Sequence, residues 1–141
     1  MGVLSGKRGL IMGVANERSI AWGIAKACAE AGAELAFTYQ GEAFGQRLAP
    51  LAASVGSDFM VDVDVTNDAS LDAAFAALGA RWDKLDFVVH AIAFSDKNEL
   101  TGRFLNTSRA NFKNSLDISC YSLVEVTRRA HPLMVENGGT V

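Results

Sequence analysis

An alternation of short apolar runs with longer segments of helical periodicity constrains the fold of this chain more than any other feature. The short runs are rich in residues that fill buried strands, and the longer segments repeat apolar residues with the spacing of amphipathic helices. The predicted strands cover 7–12, 34–39, 58–65 and 85–91. The predicted helices cover 19–31, 42–55, 70–81 and 108–134. Strands that alternate with helices predict right-handed crossovers, so the expected fold class is α/β, a Rossmann-type doubly wound parallel sheet with helices on both faces.

Prolines and caps bear on the helix boundaries. Pro50 lies inside the second predicted helix and weakens that prediction, because an interior proline loses a hydrogen bond and kinks the axis. Pro132, which follows His131, is expected to break the long fourth helix for the same reason. Either Asn67 or Asp68 is expected to cap the third helix.

The helical patterns also predict which side chains face inward. The first helix is expected to bury one stripe, Ile20, Ile24, Ala27, Cys28 and Ala31. The third helix is expected to bury Leu71, Phe75 and Leu78. In the fourth helix, Cys120 is expected to be buried, whereas Arg128 and Arg129 are expected to form a solvated face.

Composition excludes several classes of protein. Half of the 141 residues are apolar and 21% are charged, which is enough apolar material for one core and too much for a disordered chain. The formal net charge of −3 leaves no basic surplus for a phosphodiester backbone, so no nucleic acid partner is expected. No apolar run reaches the roughly 20 residues of a membrane span, so no membrane partner is expected. With Cys28 and Cys120 as the only cysteines and no secretion signal, we expect a cytoplasmic protein.

The segment after the first predicted strand has the properties of a phosphate-binding turn. It reads GVANERSIAWG over 13–23 and differs from the G-x-G-x-x-G pattern of dinucleotide-binding units. Gly13 lacks a Cβ and lets backbone approach a ligand, while Ser19 can cap the helix and offer a hydroxyl to a phosphate oxygen. The helix N-terminus favours an anion, and Gly23 is expected to let the helix pack closely on the first strand. An ordinary strand–turn–helix that binds nothing has the same spacing.

Residues at the ends of the other strands are a second argument for a dinucleotide. Ligands of open α/β sheets bind at the carboxyl ends of the strands, near the switch point in strand order. Gln40 can hydrogen-bond to an adenosine ribose, Asp64 can accept from the adenine amine, and Val65 can pack on the base. The small Ala91 and Ala93 would let a bulky ligand pass close to the backbone. Each residue alone also fits a turn or a core, and their occurrence at successive strand ends indicates a binding site.

Three stretches of the sequence are similar to one family of enzymes. They read GVANERSIAWGIAKACAEAGAELAFTYQ, DVDVTNDASL and LDFVVHAIAFSDKNELTGRF. They resemble the NADH-dependent enoyl-[acyl-carrier-protein] reductases of type II bacterial fatty acid synthesis, divergent members of the short-chain dehydrogenase/reductase superfamily. Ordinary superfamily members have TGxxxGxG in the first turn and NNAG after the fourth strand, so GVANERSIAWG and HAIAF favour the enoyl reductase branch. The resemblance extends over residues 1–141.

The resemblance implies roles for particular residues. Those implied to hold the pyrophosphate region are Gly13, Ala15, Ser19 and Ile20. Those implied to meet the adenosine are Gln40, Asp64 and Val65. Ile92 and Ala93 would lie beside the nicotinamide-side ribose, and Ser95, through its backbone, and Leu100 would line the acyl and inhibitor pocket. Many relatives have Gly where Ala93 stands, which bears on the pocket width and on sensitivity to diphenyl ether inhibitors.

The cofactor is expected to be NADH rather than NADPH. A 2′-phosphate usually needs Arg or Lys just after the second strand. This chain has Gln40, Gly41 and Glu42 there, with no cation and one acid. Arg47 is the nearest cation and would favour NADPH if it folded back to this position.

The catalytic groups that the resemblance implies, a Tyr and a Lys, would follow a fifth strand. Tyr39 and Tyr121 do not substitute for that pair, because neither has a Lys seven residues later. Residues 138–141 are predicted to enter a fifth strand. We therefore expect residues 1–141 to be the N-terminal part of a single dinucleotide-binding Rossmann domain, truncated at the start of that strand, with the catalytic pair beyond Val141 and with weak or no activity alone. No metal is expected either, since the two histidines of the chain are isolated.

Three functions are compatible with the sequence. The first is the N-terminal part of a cytoplasmic, homotetrameric enoyl reductase that uses NADH to reduce the trans-2 double bond of substrates bound to acyl carrier protein. The second is another member of the superfamily with a different substrate, which the HAIAF segment disfavours. The third is a non-catalytic dinucleotide-binding or interaction module.

Overall fold

The computed structural model describes residues 2–141, which form one parallel sheet of four strands. The strands are β1 (Arg8–Met12), β2 (Glu34–Tyr39), β3 (Met60–Asp62) and β4 (Phe87–His90). Their order across the sheet is β3-β2-β1-β4, and every neighbouring pair is parallel. This order confirms the predicted α/β class with a doubly wound parallel sheet.

The helices alternate with the strands as predicted. They are α1 (Ile20–Glu30), α2 (Glu42–Ser54), α3 (Asp68–Arg81), α4 (Arg109–Leu116) and α5 (Ser122–Met134). A π-helical turn, Asp117–Tyr121, joins α4 to α5, and two short 3₁₀ turns, Lys97–Glu99 and Phe104–Asn106, lie in the loop before α4. The side chain of Asn67 caps α3 by accepting from the Ser70 N–H, as expected, and the helix begins at Asp68.

The reversal of strand order puts helices on both faces of the sheet. The chain moves outward from β1 to β3 and then returns to the other side of β1 as β4, so right-handed crossovers place the later helices on the opposite face. Ile11 contributes to the core under α1 and α2, whereas its neighbours Leu10 and Met12 contribute to the core under α3 and α5. Phe37 and Leu71, one in each core, are fully buried, and each stabilises the fold by roughly 1.5–3 kcal/mol.

The third strand is shorter than predicted. The pattern predicted 58–65, but β3 pairs only with the last three residues of β2, Phe37–Tyr39. Tyr39, the last residue of β2, pairs with Asp62, so the paired strand cannot extend to the predicted end at residue 65. The flanking residues of the prediction still contribute backbone bonds, since Phe37 N donates to Phe59 O and Val63 N donates to Tyr39 O.

Both prolines lie inside continuous helices, so the predicted break near His131 and Pro132 is wrong. Helix α5 runs through Pro132 to Met134, just as α2 runs through Pro50 to Ser54. An interior proline costs about 3 kcal/mol. Packing on both sides compensates for that cost, because the residues two before and two after each proline are buried: Leu48, Ala52, Ala130 and Met134.

The buried face of α1 differs from the predicted stripe. Ala21, Trp22 and Ala25 face the core, and the ring centroid of Trp22 lies 6.4 Å from that of Phe37. Residues two positions apart on a helix point about 200° away from each other, so the burial of Trp22 turns Ile20 outward, where 80% of it is exposed. The predicted inward side of α3, by contrast, is confirmed at Leu71, Phe75 and Leu78.

Two expectations for the fourth helical segment are also wrong. Cys120 is exposed, because the side of the helix that faces the core carries Ser122 and Val126 instead. Arg129 is not part of a solvated face, since only 15% of its side chain is exposed. Its guanidinium bonds to Asp72 at 2.6 Å on α3 and to Glu125 at 2.6 Å on α5.

This group of charges joins α3 to α5. Glu125 is buried, and its carboxylate accepts from Arg129, from the Tyr121 hydroxyl at 2.8 Å and from Arg128. These three donors lower the pKa of Glu125 to about 2, with the Arg129 hydrogen bond as the largest cause. Buried carboxylates need such partners, because an unpaired one loses its hydration without compensation.

The last residues of the chain approach the outer edge of β4. Thr140 forms a parallel bridge with Phe87, in which Thr140 N donates to Asp86 O at 3.1 Å and Val88 N donates to Thr140 O at 2.9 Å. This is the pairing expected at the entry to a fifth strand. In the part of the chain that the structure describes, no helix is long and apolar enough to cross a membrane.

Replacing Glu125 by Gln should weaken the fold in a pH-dependent way. The folded-state pKa of about 2 lies below the ordinary value, so the carboxylate stabilises the fold above its unfolded pKa and loses that effect as the pH falls. We expect Glu125→Gln to lower the melting temperature at neutral pH, and the difference from wild type to shrink between about pH 5 and pH 2. Thermal unfolding followed by circular dichroism measures this. Glu136→Gln, on an exposed carboxylate, is the control, and a pH-independent difference for Glu125→Gln would contradict the assignment.

Candidate dinucleotide-binding site

A cleft of about 590 Å³ lies at the carboxyl ends of β1, β2 and β4 and beside the segment that follows β3. This is where the strand order reverses, and where open α/β sheets bind their ligands. Seven of the nine predicted cofactor-binding residues line it: Gly13, Ala15, Gln40, Asp64, Val65, Ile92 and Ala93. The volume lies within the range of about 300–1,000 Å³ that small-molecule and cofactor sites have.

Gly13 stands where the two halves of the sheet meet above the cleft. It has a φ of 108°, and a Cβ placed there would overlap the carbonyl oxygen of Ala91. The position therefore needs glycine both for its backbone conformation and for the space. Gly23 does not have the predicted packing function, since a Cβ added to it would meet nothing within 4 Å.

Ser19 organises the turn between β1 and α1 instead of capping the helix. Its hydroxyl oxygen accepts from the backbone N–H of Ala15 at 2.9 Å and of Asn16 at 3.1 Å. The predicted side-chain cap is therefore wrong, because the hydroxyl is turned back toward the preceding turn. As a result, no side chain among the described residues caps the first turn of α1. Trp22 N–H donates to Ser19 O at 3.0 Å, so the N–H groups of Ile20 and Ala21 are the ones left to an anion. Ser19 and Ile20 follow the cleft-lining residues Gly13 and Ala15 in the sequence, but they do not line the cleft themselves.

The end of the cleft formed by β2 and β3 carries polar side chains. Gln40 follows β2 and is exposed. One carboxylate oxygen of Asp64 accepts from the backbone N–H of Thr66 at 2.9 Å and from its hydroxyl at 2.7 Å, while the other accepts from no described residue. Val65 beside it packs against the core under α3 and presents a partly buried apolar surface. The arrangement offers an amide, a carboxylate oxygen and an apolar contact to one ligand.

The opposite wall of the cleft is the segment that continues β4. Ala91 makes the last sheet bond, from its N–H to Met12 O at 3.1 Å, and Ile92, Ala93 and Phe94 follow it along the cleft. The small side chains of Ala91 and Ala93 project little into the cleft, so a ligand can approach the backbone of this segment. Phe94 then places a half-exposed aromatic ring at its end.

Comparison with known proteins identifies the family. The family model of enoyl-(acyl carrier protein) reductases matches residues 13–141. This chain belongs to that family. Enoyl-[acyl-carrier-protein] reductase [NADH] 2 of Rhizobium meliloti (strain 1021) is 61% identical over 137 residues, which are 97% of this chain and 51% of that protein.

Solved structures of enoyl reductases have the same fold. FabI from Candidatus Liberibacter asiaticus matches with a TM-score of 0.96 and 56% identity, over 99% of this chain and 54% of that one. The enoyl-(acyl-carrier-protein) reductase of Anaplasma phagocytophilum, solved in complex with NAD, matches with a TM-score of 0.94 and 50% identity, over 99% of this chain and 53% of that one. The chain thus spans about half the length of the enoyl reductases that it matches.

The two residues predicted to line an acyl pocket do not line the cleft. The Ser95 hydroxyl is turned toward α4, where it accepts from Asn111 Nδ2 and from the Ser115 hydroxyl, each at 3.0 Å. Leu100 lies in the loop before α4 and is 69% exposed. The structure therefore places neither residue on the cleft that seven of the predicted cofactor-binding residues line.

Several lining residues escaped the sequence analysis. Phe44, on α2, lines the cleft near Gln40, and the guanidinium of Arg47 lies over its ring, 5.7 Å from the centroid. Asn114 and Ile118 line it from α4 and the π-helical turn. Their place on the cleft depends on how α4 packs against the sheet, and the sequence around them gives no local signal of that packing. Phe44 could have been found, because it follows a strand-end glutamine by one helical turn.

Within residues 2–141, the histidines and carboxylates do not assemble a metal centre. Among the described residues there is no group of three or more His, Cys, Asp or Glu side chains that could hold a metal ion. His90 lies at the end of β4, and its Nε2 forms a hydrogen bond of 2.7 Å with the buried Ser122 hydroxyl. Burial lowers the pKa of His90, because it disfavours the charged form.

Alanine substitutions at Gly13 and Gly23 should have different effects on the melting temperature, because Gly13 lies in a tight turn and Gly23 in an open part of a helix. Gly13→Ala should lower the melting temperature, because the new Cβ overlaps Ala91 and the backbone has a positive φ. Gly23→Ala should leave it unchanged or raise it, since alanine is favoured over glycine in a helix by about 0.5–1 kcal/mol and the added methyl meets open space. Thermal unfolding of both variants measures this. Equal effects would show that the turn at Gly13 is less constrained than its contacts indicate.

Proposed function

We propose that this chain is the cofactor-binding part of an NADH-dependent enoyl-(acyl carrier protein) reductase, which reduces the trans-2 double bond of enoyl thioesters in fatty acid elongation. The observation that carries the proposal is the convergence of Gly13, Gln40, Asp64 and Ala93 on one cleft at the switch point of the sheet. Membership of the enoyl reductase family supports the reaction class, and relatives named as NADH enzymes support the cofactor.

The residues of the cleft fit an extended dinucleotide. The missing Cβ of Gly13 and the uncapped first turn of α1, at Ser19 and Ile20, suit the pyrophosphate. Gln40 suits the adenosine ribose, and the available oxygen of Asp64 suits the adenine amine, with Val65 against the base. Ile92 and Ala93 would border the nicotinamide-side ribose. NADH, when bound, supplies the hydride, and the residues of this chain bind and orient it.

The end of β2 favours NADH over NADPH. Gln40 is followed by Gly41 and Glu42, so the position of a 2′-phosphate has an acidic neighbour and no adjacent cation. Arg47 is held against the ring of Phe44 on α2. To bind a 2′-phosphate, Arg47 would have to give up this contact with the ring. The lost contact would offset part of the gain in affinity for NADPH.

The acyl end of the site would begin at the segment after β4. Here Ser95, through its backbone, and Leu100 would border the enoyl chain, which arrives bound to acyl carrier protein. The methyl group of Ala93 narrows the wall next to them relative to glycine. The side chain of Ser95 is already engaged by α4, which leaves its backbone as the group that can face a substrate.

We further propose that the protein is a cytoplasmic homotetramer. The outer side of α4, the π-helical turn and α5 exposes several large apolar side chains: Phe112, Leu116, Leu123 and Val124. A contiguous apolar helix face of this kind is typical of a contact between subunits. The two free cysteines are compatible with a reducing compartment.

NADH binding tests the assignment of the adenosine end. In the full-length protein, Asp64→Asn should raise the Kd for NADH by about fivefold, because a charged acceptor is replaced by a weaker neutral one. The quenching of protein fluorescence by NADH measures this. Asp83→Asn is the control, since Asp83 lies at the opposite end of the sheet and pairs with Arg8. An unchanged Kd for Asp64→Asn would remove Asp64 from the site.

Activity of the full-length protein tests the reaction and the cofactor together. We expect NADH oxidation that depends on a trans-2-enoyl thioester, slower oxidation of NADPH, and no reduction of a 3-ketoacyl thioester. Reduction of the 3-ketoacyl substrate would instead indicate another member of the superfamily. NADH binding without any turnover would indicate a binding module.

A further inference from the structure

A row of polar side chains on the last helices follows the segment that continues β4. Asn111 on α4, Ser115 on α4, Ser119 in the π-helical turn and Ser122 on α5 are spaced by four, four and three residues, so they share one side of the helix. We refer to these four residues as the polar stripe. Each of them bonds to a residue between His90 and Asp96.

The contacts run in antiparallel order along the two segments. Asn111 Oδ1 accepts from Asp96 N at 3.0 Å, and Asn111 Nδ2 and the Ser115 hydroxyl both donate to the Ser95 hydroxyl at 3.0 Å. Ser122 ends the series at the half-buried ring of His90, with its hydroxyl 2.7 Å from Nε2. For Phe94, Ser95 and Asp96, which have left the sheet, the polar stripe therefore replaces sheet pairing.

Ser119 makes the contact that matters most for the cleft. Its hydroxyl oxygen lies 3.0 Å from Phe94 N, from which it accepts, and 3.2 Å from Phe94 O, to which it donates. The last backbone bond of this segment to the sheet is made at Ala91, three residues earlier. A single hydroxyl thus satisfies both backbone groups of Phe94, the residue at the end of the cleft wall.

The π-helical turn keeps the polar stripe aligned with the β4 segment. In a regular α-helix, residues four apart drift by about 40° around the axis, so the two steps from Asn111 to Ser119 would rotate Ser119 by about 80° off the contact. The wider turn at Asp117–Tyr121 counters that drift at Ser119. At Ser122 the hydroxyl donates to Ile118 O at 2.6 Å, so it accepts from His90, whose proton is therefore on Nε2.

We propose that Ser119 is a positioning residue for the enoyl thioester: by holding the backbone of Phe94, it fixes the direction of the wall between Ala93 and Ser95. This inference rests on the proposed function, in which the cofactor ends at Ala93 and the acyl chain begins at Ser95. On the adenosine side of the cleft, the hydrogen bonds of Asp64 are made with Thr66 and Ser70 and not with the polar stripe. Loss of the Ser119 hydroxyl should therefore weaken substrate binding and spare the cofactor.

The test compares Ser119→Ala with two matched variants in the full-length protein. Ser119→Ala should raise the KM for a trans-2-enoyl thioester by about tenfold, as expected for the loss of two hydrogen bonds, and change the Kd for NADH by less than about twofold. Ser119→Thr keeps the hydroxyl and should restore most of the KM. Cys120→Ala removes one atom from the next, exposed residue and should behave as wild type.

Hydrogen exchange provides a readout that does not depend on turnover. The peptide that contains the Phe94 amide should exchange faster in Ser119→Ala than in wild type, with α1 and β1 unchanged. If Ser119→Ala leaves both the KM and this exchange unaltered, the inference is wrong. It is equally wrong if the affinities for NADH and the enoyl substrate fall together, or if Ser119→Thr is as impaired as Ser119→Ala. A wild-type protein that binds NADH but reduces no enoyl thioester would instead overturn the proposed function, and this inference with it.

Discussion

The contact between Gly13 and Ala91 is the constraint on which the rest of the site depends. Here β1 and β4, neighbours in the sheet but far apart in sequence, end side by side, and the turn after β1 passes against the carbonyl of Ala91 without room for a Cβ. The chain leaves β1 toward one face of the sheet and leaves β4 toward the other. The cleft is the space between these diverging connections, so its position follows from strand order before any ligand-binding side chain is considered.

The features predicted well from sequence are those that local physics decides. Strand β2 and helix α3 have strong patterns, since Leu35 to Thr38 are all buried and Asn67, one of the two predicted candidates, caps α3. The meeting of the strand ends at one place was also predictable, because in a parallel sheet every carboxyl end lies on the same edge. Gln40 and Ala93 could therefore be assigned to one site without knowledge of the packing around them.

The features predicted poorly depend on partners distant in sequence. The inward face of α1 is set by the packing of Trp22 on Phe37, and the last paired residue of β3 is set by the end of β2. The hydroxyl of Ser19 has two competing uses, capping α1 or closing the preceding turn, and composition alone does not choose between them. Likewise, a serine such as Ser119 has no sequence signature, because its significance comes from the unpaired backbone of Phe94 that happens to face it.

The two sides of the cleft are consequently held by different forces. The side near Asp64 is held by the sheet and by a tight turn in which Thr66 donates twice to one carboxylate oxygen. The side near Phe94 lies beyond the last sheet bond and depends on the side chains of the polar stripe. Sheet bonds require no particular side chain, whereas the polar stripe does, so single substitutions can reshape the second side while leaving the first intact. This division lets the side near Phe94 change without disturbing the side near Asp64.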